Sequence, residues 1–166
     1  MRLHEIAMVD APHYKGQSKT PEVYDDDAFD IRTNELRSHL AAWGKIPNPS
    51  EYDKYMIQNM ERELAEFEEI GELPFTFYAA QDRDDAEFFS DQFSDGEVRE
   101  VRVTAKNLAT SKDLHDLGFL KTSVSHLQPM MIHKLKKAGF DGATGTIDRL
   151  NGTEVVVFSP EQVKVI

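Results

Sequence analysis

One carboxylate stands out in this chain of 166 residues. Glu154 opens the run Val155-Val156-Val157-Phe158, the near-continuous apolar pattern of a strand buried on both faces. A carboxylate at the mouth of such a strand is costly to desolvate unless it is paired or faces a cleft. That makes Glu154 the first candidate for chemistry; the plainer alternative is an edge position where it meets solvent. The chain has no cysteine, which excludes thiolate nucleophiles, disulfides and Cys-based zinc sites. His39, His115, His126 and His133 show no ligand spacing, and two histidines seven apart on one helix do not make a metal site. Gly142-Ala143-Thr144-Gly145 is too short for a phosphate loop and follows a helix, not a strand.

The surrounding elements must position Glu154. Asn151-Gly152 marks a turn before its strand, Pro160 ends it, and Gln162 to Ile166 is one more short strand. Upstream, a helix is expected over Ser125 to Ala138, with Pro129 in its first turn and Gly139 as its stop. Asp141 to Gly145 reads as a loop. Glu97 to Val103 alternates strictly and marks a half-buried strand. Before it, Asp82 caps a short helix carrying Ala86, Phe89 and Phe93 on one side, and Leu73 to Ala80 is an aromatic-rich strand.

The first part reads differently. Glu51 to Ile70 is a helix with Ser50 as its cap, Gly71 as its stop, and Met56, Met60, Leu64 and Phe67 on one face. A second helix runs from about Thr33 to Trp43. Arg2 to Val9 is a candidate strand, and the polar stretch from Asp10 to Asp27 reads as a loop. The expectation is a single α+β domain over 1–166, with a helical N-terminal part (1–73) ahead of a core (74–166).

Thirty acidic residues against 19 basic ones set a net charge of −11. Such a surface repels phosphate backbones, so no nucleic-acid partner is expected; acidity of this size more often only keeps a chain soluble, and it can also steer one towards a basic partner. No apolar run approaches the ~20 residues of a membrane span. The start lacks the basic and apolar segments of a signal peptide, so a cytoplasmic location is expected.

Three blocks resemble the ADP-ribosyltransferase family over residues 74–166. Glu154-Val155-Val156-Val157-Phe158-Ser159-Pro160-Glu161-Gln162-Val163 resembles its C-terminal signature: a Glu, a hydrophobic strand ending in an aromatic, a turn, then Gln and Ile or Val. Ala138-Gly139-Phe140-Asp141-Gly142 looks like the turn upstream of it, in the form typical of phage and mobile-element domains. Phe75-Thr76-Phe77-Tyr78-Ala79 followed by Asp85-Ala86-Glu87-Phe88-Phe89 resembles the family's aromatic strand and small-residue helix. Val98 to Leu108 is similar to its next strand and exit.

The resemblance implies split antiparallel sheets preceded by helices, NAD as substrate, and mono-ADP-ribosylation of a protein of a bacterial host, in the host cytoplasm if phage-encoded. It implies Glu154 as the catalytic carboxylate. It implies Tyr78 or Phe77, with Phe88 or Phe89, as aromatics against nicotinamide, and Asp85 where the family often keeps a Ser. Nicotinamide leaves neutral, so no general acid is required; what helps is a carboxylate that holds the ribose hydroxyl and offsets developing positive charge. His13-Tyr14-Lys15-Gly16 looks like the first family motif, with His13 or Lys15 as the polar group and Arg2 or His4 as replacements. Gly152 stands where many members carry an acceptor-engaging Glu or Gln, against an arginine-directed mode. The alternative function is an inactive transferase-like fold that binds and inhibits a host protein.

Overall fold

Ser50 decides where the longest helix begins. Its side chain accepts from the Asp53 amide (3.1 Å) while the Asp53 carboxylate accepts from the Ser50 amide (2.8 Å), a reciprocal cap. These bonds hold the Asp53 carboxyl below its usual range. The computed structural model describes residues 7–18, 28–119, 124–125, 127–146 and 152–166. Over these it shows five α-helices and a mixed six-stranded sheet, in two compact units.

One unit, Val23–Leu73, holds α1 (Ala28–Trp43) and α2 (Glu51–Ile70). Gly71 ends α2 in the left-handed region (φ 78°), its amide bonded to the Phe67 carbonyl at 2.9 Å. Phe29 packs on Phe67 with ring centroids 5.5 Å apart, and Leu36 and Thr33 are buried. Because Phe29 joins this contact, α1 starts a turn before the expected Thr33. Arg32 pairs with Glu63 and Arg37 with Glu68 in the open, where such pairs contribute little. No residue of α2 is fully buried.

The other unit joins β1 (Ala7–Ser18) to everything from Pro74 onward. It contains β2 (Phe77–Ala80), α3 (Arg83–Ser90), β3 (Gly96–Ala109), α4 (Ser111–Asp116), α5 (Pro129–Lys137), β4 (Gly142–Thr146), β5 (Thr153–Val157) and β6 (Val163–Val165). The stretch expected as a loop from Asp10 is in fact strand as far as Ser18, paired antiparallel along β3 from Ala7↔Leu108 to Ser18↔Gly96. Among the described residues its other edge is paired at Tyr14↔Ala80 alone, an edge position where a proline's missing amide is tolerated.

The pairings close on themselves. β1 meets β2, β2 meets β5, β5 meets β4, β4 meets β3, and β3 returns to β1, with β6 added on β3. Five of the six pairings are antiparallel; β3–β4 is parallel, which corrects the wholly antiparallel expectation. The joint forms because Asp141, just before β4, accepts from the amides of Lys106 (2.8 Å) and Asn107 (2.9 Å). Gln162 locks the same corner, donating to the carbonyls of Asp141 and Thr104 while accepting from the amides of Phe158 and Ser159. These bonds make Gly142–Thr146 a strand where a loop was expected. A Cβ at Gly142 would lie 2.6 Å from the Val156 carbonyl oxygen, so only glycine allows so close an approach.

Alternation along the strands divides the core. Ala79, Val101, Val103, Val155 and Val157 face one another inside the ring of strands. Val156, Ala143 and Phe158 face outward onto Leu114, Ile132 and Leu135 of α4 and α5. Ala80 and Tyr14 meet Ala86 and Phe89 of α3. α5 begins at Pro129, not at Ser125; proline favours the first helical position, and Ser125 stays in the segment before it.

Candidate functional site

Glu154 lies on β5, between β2 and β4, opposite Ala80 on one side and Gly145 on the other. Two small neighbours leave room for its carboxylate on the outward face. That side chain is not at a solvent-facing edge: the residue is 6% exposed. Burying a carboxylate demands hydrogen bonds. The equally buried Ser125 supplies one, its hydroxyl donating to Glu154 Oε1.

A cleft of about 280 Å³ opens over this pair. Tyr14 and Lys15 reach it from β1, Tyr78 from β2, and Phe89, Gln92 and Phe93 from the end of α3 and the turn beyond. Gly16 makes that grouping possible. A Cβ there would overlap the Ala86 carbonyl oxygen and stand 2.8 Å from the Ser90 amide nitrogen, so α3 lies flush against β1 only because position 16 is glycine. Lys15 is the one cationic side chain among the described lining residues; its Nζ is 5.1 Å from the Phe77 ring centroid.

Tyr78 is half-buried, and its phenol oxygen accepts from the Leu127 amide at 2.9 Å. Burial pushes the phenol above its usual range and the Glu154 charge adds to this, against the Leu127 bond, which pulls it down.

The cleft therefore gathers Glu154, Tyr78 and Phe89 from the residues singled out in the sequence, and Lys15 from the first motif. It does not gather the others. His13 is buried with its Nδ1 3.1 Å from the Ala11 carbonyl oxygen, on the strand face opposite Tyr14. Phe77 packs inside the ring of strands beneath Lys15. Phe88 is 50% exposed and stands edge-on to Phe89. Asp85 lines a separate shallow hollow with Asp82, Asp84 and Gly152, where a Cβ on Gly152 would overlap the Asp85 carboxylate. Arg2 and His4 lie outside the described residues.

Sequence reasoning missed Tyr14, Gln92, Phe93 and Ser125. Helical spacing from Phe89 points to Phe93, and strand parity opposes Tyr14 to His13. No local signal marks Ser125, whose partner is 29 residues away.

Among the described residues no group of three or more His, Asp or Glu is placed to hold a metal ion. The arrangement suits a flat ring whose binding exposes positive charge to a fixed carboxylate. Comparison with protein-family models, with curated proteins and with solved structures gives no match to this chain.

Proposed function

We propose that the protein is a mono-ADP-ribosyltransferase that moves ADP-ribose from NAD to a protein, the target belonging to a bacterial host. One observation carries this reading. Glu154 is buried, bonded to Ser125, and opens onto a cleft lined by Tyr78 and Phe89, residues that the family resemblance singles out together. The strand ring supports the fold expected with it. Among the described residues its halves, β6-β3-β1 and β4-β5-β2, meet at Tyr14–Ala80 and at two residue pairs between β3 and β4, as a split sheet would.

The cleft is at the small end of ligand sites, which run from about 300 to 1,000 Å³. It suits the nicotinamide–ribose end of NAD, with the rest outside. Tyr78 and Phe89 offer aromatic surface to the nicotinamide ring. Breaking the bond between ribose C1′ and the nicotinamide nitrogen sends the bonding pair to nicotinamide, which leaves neutral. The acceptor's lone pair forms the new bond to C1′, and its proton passes to solvent. Glu154 holds a ribose hydroxyl and offsets the positive charge that grows at C1′. Action in the cytoplasm, the host's if the protein is phage-borne, belongs to the same proposal; among the described residues no helix is long and apolar enough to cross a membrane.

A second reading, a transferase-like fold that binds a host protein without turnover, is favoured by one observation: His13 is turned away from the cleft. Incubation with labelled NAD and a bacterial lysate separates the two. The wild-type protein is expected to label a discrete protein, and Glu154→Gln to lower that labelling by about 10²–10³-fold while melting like the wild type. Absence of label, with no NAD binding by calorimetry, overturns the transferase and leaves the binding protein.

A further inference from the structure

Val124, Ser125, Leu127 and Gln128, the described residues just before α5, belong to neither helix nor strand, yet Ser125 carries the hydroxyl that meets Glu154. A serine hydroxyl rotates freely, so its aim depends on where its backbone is held. No sheet ladder holds this one. Its described residues are fixed instead at three points: Val124 is fully buried with its Cγ2 3.2 Å from where a Gly145 Cβ would stand, Ser125 bonds Glu154, and the Leu127 amide donates to the Tyr78 phenol oxygen. The last is a direct bond between the backbone of this segment and a rigid strand. Tyr78 is opposite Val156, two residues from Glu154 on the same face, so one pair of strands carries both anchors.

We infer that Tyr78 is a positioning residue: by holding the Leu127 amide, its phenol oxygen keeps Ser125 on Glu154 and thereby aims the carboxylate. Its ring lines the cleft, and its oxygen sets the neighbouring loop. Removing only that oxygen therefore disturbs Glu154 although the aromatic surface stays. The kinetic part of this inference rests on the transferase reading; the structural part does not.

The test uses the full chain labelled with ¹³C at glutamate carboxyls, in wild type, Tyr78→Phe, Ser125→Ala and the double variant, with Glu154→Gln to assign the Glu154 resonance. Tyr78→Phe is expected to speed hydrogen exchange at the Leu127 amide by about tenfold or more, since that amide loses its partner. It is also expected to move the Glu154 carboxyl resonance in the direction that Ser125→Ala moves it, and the double variant should match Ser125→Ala alone. In NAD cleavage, both single variants should lose about tenfold in kcat with KM little changed, and the losses should not add. If Tyr78→Phe leaves the Glu154 resonance in place while Ser125→Ala shifts it, or if the two effects sum, the inference is overturned. A wild type that neither binds nor cleaves NAD overturns the transferase, while the carboxyl resonance still decides the role of Tyr78.

Discussion

The two units hold their shape by different means. In the sheet unit, Leu114, Ile132, Leu135, Val103, Val156 and Val157 are fully buried, drawn from strands and helices distant in sequence. Among the described residues of the helical unit only Leu36 and Thr33 are buried, with the half-buried Phe29–Phe67 contact and the Ser50 and Gly71 caps beside them. Charge divides the same way. Val23–Leu73 carries 13 acidic residues against 5 basic, a net −8 of the chain's −11. A tightly packed unit can keep a carboxylate such as Glu154 dry and fixed, because its neighbours cannot relax around it. A unit with little core leaves most side chains in water, where charges cost little. The stiff unit is therefore the one able to hold the carboxylate that the proposed reaction needs.

That contrast can be broken at several points. Leu135→Ala removes a fully buried side chain and should cost about 2–5 kcal/mol, whereas Leu64→Ala in α2, half-buried, should cost about 1 kcal/mol. Trp43, the single tryptophan, lies in α1, so its fluorescence reports the helical unit during urea unfolding. If Leu135→Ala shifts the Trp43 transition as far as the far-ultraviolet one, the units unfold together and the contrast fails.

Gly16→Ala should cost about 1–3 kcal/mol, because the new methyl meets the backbone of α3 and not a pliable side chain. It should also displace Phe89 and Phe93 and weaken binding in the cleft, measured by thermal melting with and without NAD. A variant that melts and binds like wild type would show that α3 is not docked through Gly16.

The smallest effects set the units at opposite ends of the pH scale. The Asp53 carboxyl is depressed by the Ser50 bonds, so its contribution is present above the ordinary carboxylate value and lost as pH falls through the lowered one. The Tyr78 phenol is raised, so its contribution is full below the ordinary phenol value of about 10 and lost as pH climbs toward the raised one. Protection of the amides at the start of α2, taken against the intrinsic exchange rate at each pH, should fall in acid, and Ser50→Ala, costing about 1 kcal/mol, should flatten that response. Sheet-unit stability should fall in alkali, and Tyr78→Phe should flatten that fall. Equal responses of both regions at both ends would sink the assignment.

The elements legible in the sequence are those whose limits depend on nearby residues. α2 runs over its expected span because Ser50, Asp53 and Gly71 act within a few residues of its ends. β5 was legible from its run of valines. β1 was legible only at its start, where Ala7–Val9 ends the candidate strand; beyond it Pro12, Gly16 and the polar Lys15 and Gln17 deny it a strand pattern, and its stability comes from β3 far along the chain. β4 was hidden for a related reason: Gly142-Ala143-Thr144-Gly145 is small because the neighbouring backbone is close, and small residues read as loop. Of the site, the carboxylate was legible as a charge in an apolar run. Tyr14 and Ser125 were not, since parity against α3 and a contact across 29 residues exist only after folding.

The placement of β1 also bears on how the chain reaches its native state. Its partner strand lies far downstream; Asp10 and Arg102, for example, bond across 92 positions. A nascent β1 therefore has no mate until β3 has been synthesised, and closing so long a loop is slow and entropically costly. Between the two lies the helical pair, whose contacts are local enough to form early. Were Val23–Leu73 to condense before β1 finds β3, the flexible span that β1 must search would be shorter.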